Sequence, residues 1–456
     1  MQAKERQVQN NPFTSGPILL PLVQFAIPLM LSLLLQAFYG GVDLAVVGQF
    51  SPTASVSAVA TGGQIMQALT ALITGLTMGV TVLLGKAIGA SDSKRAGQVV
   101  AGQIKLFSVV AMVLTAVMLT FAPQIARLMN VPEAAFSETV QYIRICSAGI
   151  VFITAYNGIS GIFHGIGNSR SPFVFVLIAC CINVVLDLLF VGVFEMRASG
   201  AALATIIAQA ASVLFSVYYI RRRPLPFSMK EQWRHGEKTV QAILKVGSPI
   251  ALQDFLTNLS FLIITGIVNT LGVVASAGVG ISEKIFVFLS VVPMAFMSAL
   301  STFVAQNMGA GNRARAERSL LLAQRISLCC GTVMFLLTFF AGHILASVFD
   351  NDSDVVKAAA LYLRGSSPEY LLTSIIFCFL GYFNGREHTA FVMAQGLLSS
   401  FLIRIPLSYV LSRLPETNVF LISLAVPASA LVNFALCVGY FLYLRRKDRK
   451  TTGDFA

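Results

Sequence analysis

The chain contains few charged residues for its length. Of its 456 residues, 11% are Asp, Glu, Lys or Arg and 56% are hydrophobic, whereas a soluble domain typically has about 25% charged residues. Its mean hydropathy is +0.78. This composition excludes an ordinary soluble domain and predicts that most of the chain faces lipid.

Motifs for catalysis and for nucleotide binding are also absent. The sequence contains neither HExxH nor GxSxG, and its four histidines are scattered. The nearest approach to a phosphate loop, Gly79 to Gly85-Lys86, has five intervening residues instead of four and Ala87 in place of Ser or Thr. The seven cysteines lie in apolar segments without CxxC spacing. The sequence therefore argues against an enzyme, an ATP-driven pump and a metal centre, and it predicts no cofactor.

Long apolar segments are the main feature that the sequence does contain. A segment needs about 20 residues to cross roughly 30 Å of hydrocarbon, and it must be helical, because an open sheet would leave backbone groups unpaired in lipid. We therefore predict an all-α, polytopic membrane protein with twelve transmembrane helices. These spans 1 to 12 are 18–48, 54–84, 99–122, 139–164, 172–194, 200–220, 241–270, 276–308, 320–345, 358–384, 390–411 and 421–444.

Basic residues are distributed unevenly among the connections between spans. With the N-terminus inside, one set of connections holds 21 Lys and Arg residues, whereas the opposite set holds only four. An excess of Lys and Arg marks the cytoplasmic side of a membrane protein. The net charge of +12 is therefore a topology signal that places both termini in the cytoplasm, and it predicts no nucleic-acid partner.

The two halves of the chain repeat each other. Short identities recur at offsets of 220 or 221 residues in four separate blocks; Pro28 matches Pro249, and Gly161 matches Gly381. Because each copy holds six spans, the copies are parallel repeats related by an axis along the membrane normal. This predicts two pseudo-symmetric six-helix lobes, at 1–220 and 241–456, joined by a cytoplasmic linker at 221–240. Substrate is expected in a cleft between the lobes, with access alternating as they rock.

Polar side chains lie inside the spans of the N-lobe. Asp43 lies roughly 9 Å from the outer end of span 1, and Asp187 lies roughly 10 Å from the outer end of span 5, at 1.5 Å per helical residue. Thr205 lies at a similar depth in span 6, Asn183 lies one turn from Asp187 on the same face, and Tyr142 enters span 4 from outside. These five groups are therefore predicted to cluster in the outer half of the bilayer, as a cation or proton site requires.

A structural role is the alternative for the two aspartates, in which each neutralises a buried base. Arg144 is the one basic residue in the outer half of the N-lobe spans, so one aspartate would lack a counter-charge and could take up a proton near neutral pH. The second copy has Ile264 and Ser408 in place of Asp43 and Asp187. We therefore predict that these acids couple transport to an ion in the N-lobe.

The C-lobe has equal numbers of acids and bases within its spans. They can form a structural network of ion pairs, or the acids can attract a cationic substrate, and Gln36 in span 1 is a further candidate to face that substrate. The residues are Asp254, Glu283 and Glu369 against Lys284, Arg364 and Arg404.

Several motifs resemble those of the multidrug and toxic compound extrusion family. They are VDLAVVGQF (42–50) closing span 1, NVVLDLLF (183–190) in span 5, GAALAT (200–205) in span 6, and the paired loops GKAIGA and AQNMGAGN. The resemblance covers the whole chain. It implies export of organic cations or drugs, driven by inward flow of protons or sodium ions.

The resemblance also implies which residues take part. Asp43, Asn183, Asp187 and Thr205 would form the ion site, with Tyr142 lining the same pocket. Sodium at Asp43 and Asp187 would be the one metal ion expected. A C-lobe cation site known in one branch of the family is in doubt, because the acids of spans 7 and 10 stand here outside its motif register.

The expected location is the inner, cytoplasmic membrane of a prokaryote, crossed several times. One chain supplies both lobes, so a monomer suffices for transport. A lipid-linked oligosaccharide flippase of the same superfamily is the alternative function. Such a protein should have a cationic cleft for pyrophosphate, and Arg144, Arg364 and Arg404 keep this alternative open.

Overall fold

The structure is a computed structural model, and it describes residues 11–228, 232–233, 237–415 and 417–453. Within these residues the chain forms helices joined by turns, with no β-strand. The helices follow the predicted order of spans. The first six spans are Leu19–Phe50, Thr53–Gly89, Ser93–Leu128, Glu133–Ala148 with Ile150–Gly165, Arg170–Asp187 with Leu188–Val193, and Arg197–Arg222.

The last six spans follow the same plan. They are Glu237–Asn269, Val273–Gly309, Arg313–Phe340, Ser353–Ser366 with Pro368–Gly385, Thr389–Leu397 with Leu398–Arg404 and Ile405–Ser412, and Val419–Ser423 with Ala425–Gly453. A short helix, Gly342–Ser347, lies between spans 9 and 10.

Ten of the described helices are long and apolar enough to cross a membrane, and the two halves of span 4 together make an eleventh crossing. Span 10 supplies the twelfth. It is likewise divided into two helices, at Ser367, and Arg364 and Glu369 within it lower its hydropathy. The predicted fold class, an all-α polytopic membrane protein of twelve helices, is confirmed.

Span 4 bends by 48° between its two helices. Gly149 ends the first helix and precedes the second. A β-carbon at this position would lie 2.5 Å from Cγ1 of Ile206 in span 6, so only glycine lets the two spans approach this closely. The bend therefore brings the outer half of span 4, which carries Tyr142, against span 6.

Spans 5 and 11 each contain a π-helical segment. In span 5 it begins directly after Asp187, at Leu188–Val193, and in span 11 it is Leu398–Arg404. A π turn holds one extra residue and shifts the side chains that follow it, and such turns are frequent at functional sites. Each of the two segments adjoins a charged residue inside a span.

The chain divides into two compact units. The first contains Val23–Ala251 and Gly309–Gly311, and the second contains Gly16–Leu22, Leu252–Met308 and the chain from Asn312 onwards. The first half of span 7 thus belongs to the first unit. The predicted lobe boundaries at residues 220 and 241 stay a prediction.

Small residues bring spans 2 and 7 into backbone contact within the first unit. Gly75 and Gly79 on span 2 face Gly247 and Ala251 on span 7, a pair of small-xxx-small patterns of the kind that lets membrane helices approach closely. A β-carbon on Gly79 would lie 2.8 Å from the backbone nitrogen of Gly247 and 3.0 Å from the carbonyl oxygen of Ile243. Neither of these backbone atoms can move without displacing a helix.

This contact predicts the effect of adding one methyl group. Gly79→Ala should lower the free energy of unfolding by about 1–2 kcal/mol, because overpacking forces the helices apart. Gly63→Ala is the matched control on the same helix, since a β-carbon there meets nothing within 4 Å. It should leave the thermal midpoint of the purified protein unchanged or slightly higher, as alanine favours helix. Equal midpoints for the two variants would contradict the contact.

Candidate functional site

Three spans of the first unit each contribute two polar residues spaced four positions apart. In a helix this spacing puts both side chains on one face. The pairs are Tyr39 and Asp43 on span 1, Asn183 and Asp187 on span 5, and Thr205 and Gln209 on span 6.

The carboxyl group of Asp43 is the meeting point of these faces. It interacts with the side chains of Asp187, Asn183 and Thr205, and only 5% of its surface is exposed. Oγ1 of Thr205 lies 3.3 Å from Oδ2 of Asp43 and 3.0 Å from the carbonyl oxygen of Ala201. The hydroxyl has one proton, so it donates either to the carboxylate or to the backbone carbonyl. In the second case a protonated Asp43 can donate to Thr205.

Asp187 and Asn183 are buried, and their polar side-chain atoms have no hydrogen-bond partner of good geometry among the described residues. Asp187 is fully buried and Asn183 is 2% exposed. Both carboxyl oxygens of Asp187 and both side-chain polar atoms of Asn183 lack a hydrogen bond of good geometry to any described residue, as does Oδ1 of Asp43. Native proteins satisfy almost all buried polar groups, and exceptions call for a ligand, an ion or a functional role. The atoms left over here include three carboxyl oxygens around one point.

No basic side chain neutralises the two aspartates among the residues that the structure describes. Neither acid forms a salt bridge there. Arg144, which the sequence analysis considered as a counter-charge for one aspartate, is exposed. Lys105, another base within the N-lobe spans, lies over the ring of Trp233, 5.5 Å from its centre. Two carboxylates this close cannot both be ionised at low cost. The pair can therefore hold a proton between them, or bind a small cation.

A small cavity lies beside the pair. It is lined by Tyr39, Asn183, Thr205 and Gln209 together with Ala179 and Ala208, and it offers about 10 Å³ to the centre of a water molecule. One water molecule needs roughly this much room. The cavity therefore suits water or an ion of similar size, and it is far smaller than the pockets of several hundred Å³ that hold drug-sized ligands.

Tyr142 borders this group on the side of span 4. Its side chain is 4% exposed and lies near both Asp43 and Tyr39. Its ring packs directly on Gly62 of span 2, where a β-carbon would overlap it. Gln36, three residues before Tyr39 on span 1, is exposed. The five predicted ion-site residues are thus brought together, and Gln36 stays a candidate for substrate contact.

Sequence reasoning missed Tyr39 and Gln209. Tyr39 interacts with Gln209 and lies near Asp43, and both line the cavity. Each lies four positions from a residue that was predicted, namely Asp43 and Thr205. The helical repeat alone was therefore a sufficient signal to find them.

The second copy of the repeat has no such acids at the matching positions. Ile264 stands in place of Asp43, is 1% exposed and belongs to an apolar cluster with Val268, Val279 and Ile422. Ser408, in place of Asp187, is also buried. The second unit thus has an apolar side chain and a hydroxyl, both without charge, where the first unit has its two carboxylates.

The charged residues of the second unit form one cluster and several isolated groups. Arg404 interacts with both Glu283 and Glu369, and its guanidinium stacks on Phe261 at 4.5 Å from the ring centre. Tyr362 interacts with all three charged groups. Arg404 is thus the counter-charge of both glutamates. The sequence analysis had counted one base for each acid.

The other two bases lie apart from this cluster. Lys284 and Arg364 are exposed, and Arg364 lies over the ring of Phe339 at 4.8 Å. Asp254, half-buried on span 7, has no salt bridge to a described residue. Of the three acids within the spans of the second unit, Glu283 and Glu369 lie near Arg404, whereas Asp254 has no base near it among the described residues.

The part of the chain that the structure describes contains no ligand set for a transition metal. No group of three or more His, Cys, Asp or Glu side chains is arranged there to hold a metal ion. The oxygen atoms of Asp43, Asn183, Asp187 and Thr205 are hard ligands of the kind that suit a proton or an alkali cation.

Comparison with known proteins connects this geometry to a family. The sequence model of the MatE family matches residues 28–189 and 249–410, one match in each copy of the repeat. "Probable multidrug resistance protein YpnP" of Bacillus subtilis (strain 168) is 26% identical over 440 residues, which cover 96% of this chain and 98% of that protein. "Multidrug export protein MepA" of Staphylococcus aureus (strain MSSA476) is 23% identical over 445 residues, 96% of each chain.

Solved structures give the same result for the fold. The outward-facing conformation of a multidrug resistance MATE family transporter of the MOP superfamily superposes on this chain with a TM-score of 0.86. The match covers 94% of this chain and 95% of that one at 20% identity. At this identity the likeness establishes the shared fold of twelve helices in two lobes.

Proposed function

The chain belongs to the MatE family, and from this membership we propose that it is a secondary active multidrug efflux transporter. It exports organic cations or drugs by antiport with protons or sodium ions, through alternating access of its two lobes. We propose no enzymatic activity. The observation that carries the proposal is the Asp43–Asp187 pair, two adjacent buried carboxyl groups without a neutralising base among the described residues.

The pair supplies a physical means of coupling. When both groups are ionised, their repulsion favours a conformation in which water or a cation reaches them. A proton or Na⁺ that binds there removes the repulsion and favours the conformation that closes around the neutral pair. Drug export is coupled to ion entry if the drug favours the opposite conformation or competes for the same charge.

Asp254 is the acid of the C-lobe best suited to attract a cationic drug. A charge without a nearby base keeps its field available to a ligand, whereas Glu283 and Glu369 share Arg404. Gln36 is a second candidate, because its amide is exposed on span 1.

The orientation follows the positive-inside rule, with both termini in the cytoplasm. The location is the inner membrane of a prokaryote, where a monomer suffices for transport. The flippase alternative is not favoured, because the matched relatives are named as multidrug proteins and the buried polar group of the first unit is acidic.

Imposed ion gradients test the proposal. Purified protein in vesicles should drive uptake or release of a fluorescent organic cation when a pH gradient or a sodium gradient is applied. The gradient that drives transport identifies the coupling ion. Transport that ignores both gradients, or that requires ATP, would contradict the antiport mechanism.

Thr205 is expected to tune the affinity of the ion site. Thr205→Ala removes a hydroxyl that lies 3.3 Å from the carboxylate of Asp43. The concentration of coupling ion at half-maximal transport should therefore rise about fivefold, the equivalent of a hydrogen bond worth about 1 kcal/mol. Thr205→Ser keeps the hydroxyl and should stay near the wild-type value. If serine shifts the half-maximal concentration as much as alanine does, the hydroxyl has no part in ion binding.

A further inference from the structure

A second cavity lies away from the acidic site, at the ends of spans 2, 3 and 7 within the first unit. Its volume of about 400 Å³ is lined by Lys94, Arg95 and Lys238, with Gln98, Thr239 and Asp92 among them and Leu83, Val99 and Ala242 on its apolar side. This volume falls in the range of cavities that bind small molecules. Nothing in the proposed transport cycle uses this cavity.

The three bases of this cavity have no counter-ion among the residues that the structure describes. None of them forms a salt bridge to a described acid, whereas other bases at helix ends do: Arg386 pairs with Asp448 at 2.9 Å and Arg445 with Glu317 at 3.6 Å. Among the described lining residues Asp92 is the acid, and its carboxylate caps span 3 by accepting the backbone N–H of Arg95 at 2.9 Å. The lining thus has a net positive charge.

The helices reinforce that charge. Lys94 and Arg95 lie in the first turn of span 3, and Lys238 and Thr239 lie in the first turn of span 7. Helix N-termini carry free N–H groups and the positive end of the helix dipole, which favour anions such as phosphate. The N-terminal ends of spans 3 and 7, which carry the three bases, both line the cavity.

The three bases that line the cavity lie nearer the ends of their helices than the apolar residues Val99 and Ala242 do. Val99 and Ala242 lie about one helical turn, roughly 6–7.5 Å, further along their spans than Lys94 and Lys238. On the topology proposed above, these helix ends lie at the cytoplasmic surface of the membrane. A lipid headgroup, in which a phosphate is joined to a hydrocarbon part, fits a lining of bases and apolar residues better than a free phosphate ion does.

The second copy of the repeat provides an internal comparison. The position of Lys94 holds Ala314, and Arg315, in the position of Arg95, donates to the carbonyl oxygens of Gly16 at 2.7 Å and Pro17 at 3.2 Å. The equivalent arginine is therefore used to hold another chain segment. The second copy therefore does not repeat the Lys94 and Arg95 arrangement of this cavity.

We infer that this cavity binds the phosphate of an anionic phospholipid headgroup from the cytoplasmic leaflet. Lys94, Arg95 and Lys238 contact the phosphate, and the apolar side receives the glycerol and the start of the acyl chains. Basic pockets between membrane helices on the cytoplasmic side are a known mode of lipid recognition. Gln98 also bonds to Gln232 of the linker at 3.1 Å, so a bound headgroup adjoins the segment that joins the two copies.

Lipid binding by purified full-length protein tests this inference. Phosphatidylglycerol and phosphatidylcholine are titrated in detergent, and bound lipid is counted by native mass spectrometry. The variant Lys94→Gln, Arg95→Gln, Lys238→Gln should bind phosphatidylglycerol at least about tenfold more weakly, since each base near a membrane surface contributes about 1 kcal/mol. The matched control removes three bases elsewhere, Arg446→Gln, Arg449→Gln and Lys450→Gln, and should bind as the wild type does.

Further arms make each outcome decisive. The charge-preserving variant Lys94→Arg, Lys238→Arg should bind like the wild type. If the triple variant does not fold, Lys94→Gln, Lys238→Gln is compared with it and should bind phosphatidylglycerol more weakly, and equal binding by these two variants overturns the inference. Equal binding of phosphatidylglycerol by wild type and triple variant, or equal loss in the control, overturns the inference. If soluble glycerol phosphate displaces the lipid at equal concentration, the site takes a free phosphate and the lipid assignment falls. Transport is not the readout, so failure here leaves the efflux proposal untouched.

Discussion

Replacing Asp43 and Asp187 together by asparagine should abolish coupled efflux. Asparagine keeps the size of each side chain but can neither hold the proton nor supply the charge that binds a cation. The initial rate of gradient-driven dye transport should therefore fall by about 100-fold, near the upper end of measured coupling between two ligand sites. The measurement is transport by vesicles reconstituted with equal amounts of wild-type and variant protein.

Two controls separate loss of coupling from loss of folding. Asp354→Asn makes the same chemical change at an exposed aspartate and should leave transport unchanged. The double variant itself should be at least as stable to heat as the wild type, because it removes two buried carboxyl groups without counter-ions. Full efflux by a stable double variant would refute the ion site, and a marked loss of stability would mean that the acids are structural.

The single substitutions refine this result. Asp187 is fully buried. Asp43 lies within hydrogen-bond distance of the hydroxyl of Thr205. Because the pair is proposed to share one proton or one cation, either single change should remove coupling almost as completely as both together. Strictly additive losses would indicate two independent roles for the acids.

Arg404→Met should be the most damaging single substitution in the C-lobe. It removes the base that interacts with both Glu283 and Glu369 and leaves two partly buried carboxylates without that counter-charge. We expect the free energy of unfolding to fall by about 2–3 kcal/mol, less than the roughly 3–5 kcal/mol typical of fully buried pairs. Thermal unfolding of the purified protein measures the change.

A compensating variant makes the cause specific. Arg404→Met combined with Glu283→Gln and Glu369→Gln removes all three charges and should regain most of the lost stability, because neutral groups need no counter-charge. Arg364→Met is the matched control: this arginine is exposed and stacks on Phe339, so its loss should cost about 1 kcal/mol or less. If the triple variant stays as unstable as Arg404→Met, the stacking of Arg404 on Phe261 matters more than its charge.

This experiment also bears on the role of the C-lobe acids. Should Glu283 and Glu369 serve chiefly to balance Arg404, the triple variant would keep its affinity for the cationic dye. Asp254→Asn would then be the substitution in this lobe that weakens dye binding. Weaker binding in the triple variant would assign the two glutamates to the substrate as well.

The sequence predicted the fold closely because hydrocarbon leaves the chain few options. Apolar segments of about 20 residues must be helices in lipid, so composition and length alone predicted twelve spans. Each of the twelve corresponds to one helix or to two or three consecutive helical segments. The offset of 220 or 221 residues predicted two copies, and the family matches at 28–189 and 249–410 have the same offset. What periodicity did not indicate was the division of spans 4, 5, 10, 11 and 12 into separate helical segments.

The acidic site was predictable in part for the same reason. A carboxyl group inside an apolar span is costly, so Asp43 and Asp187 were visible as exceptions, and helical rise placed them at matching depths. The partners Tyr39 and Gln209 were within reach of the same reasoning, since both lie one turn from a predicted residue. The small size of the cavity was not, because it depends on how three helices pack.

The sequence by itself determined the class of protein, its repeat, and the depth at which the first copy carries acids, because these follow from hydropathy and from position along a helix. Only the tertiary structure decided which charges meet. It placed Arg404 between two glutamates, left Lys284 and Arg364 exposed, and gathered Lys94, Arg95 and Lys238 around one cavity. The direction that a side chain faces, and its neighbours across helices, are set by packing between segments far apart in sequence, which no local pattern records.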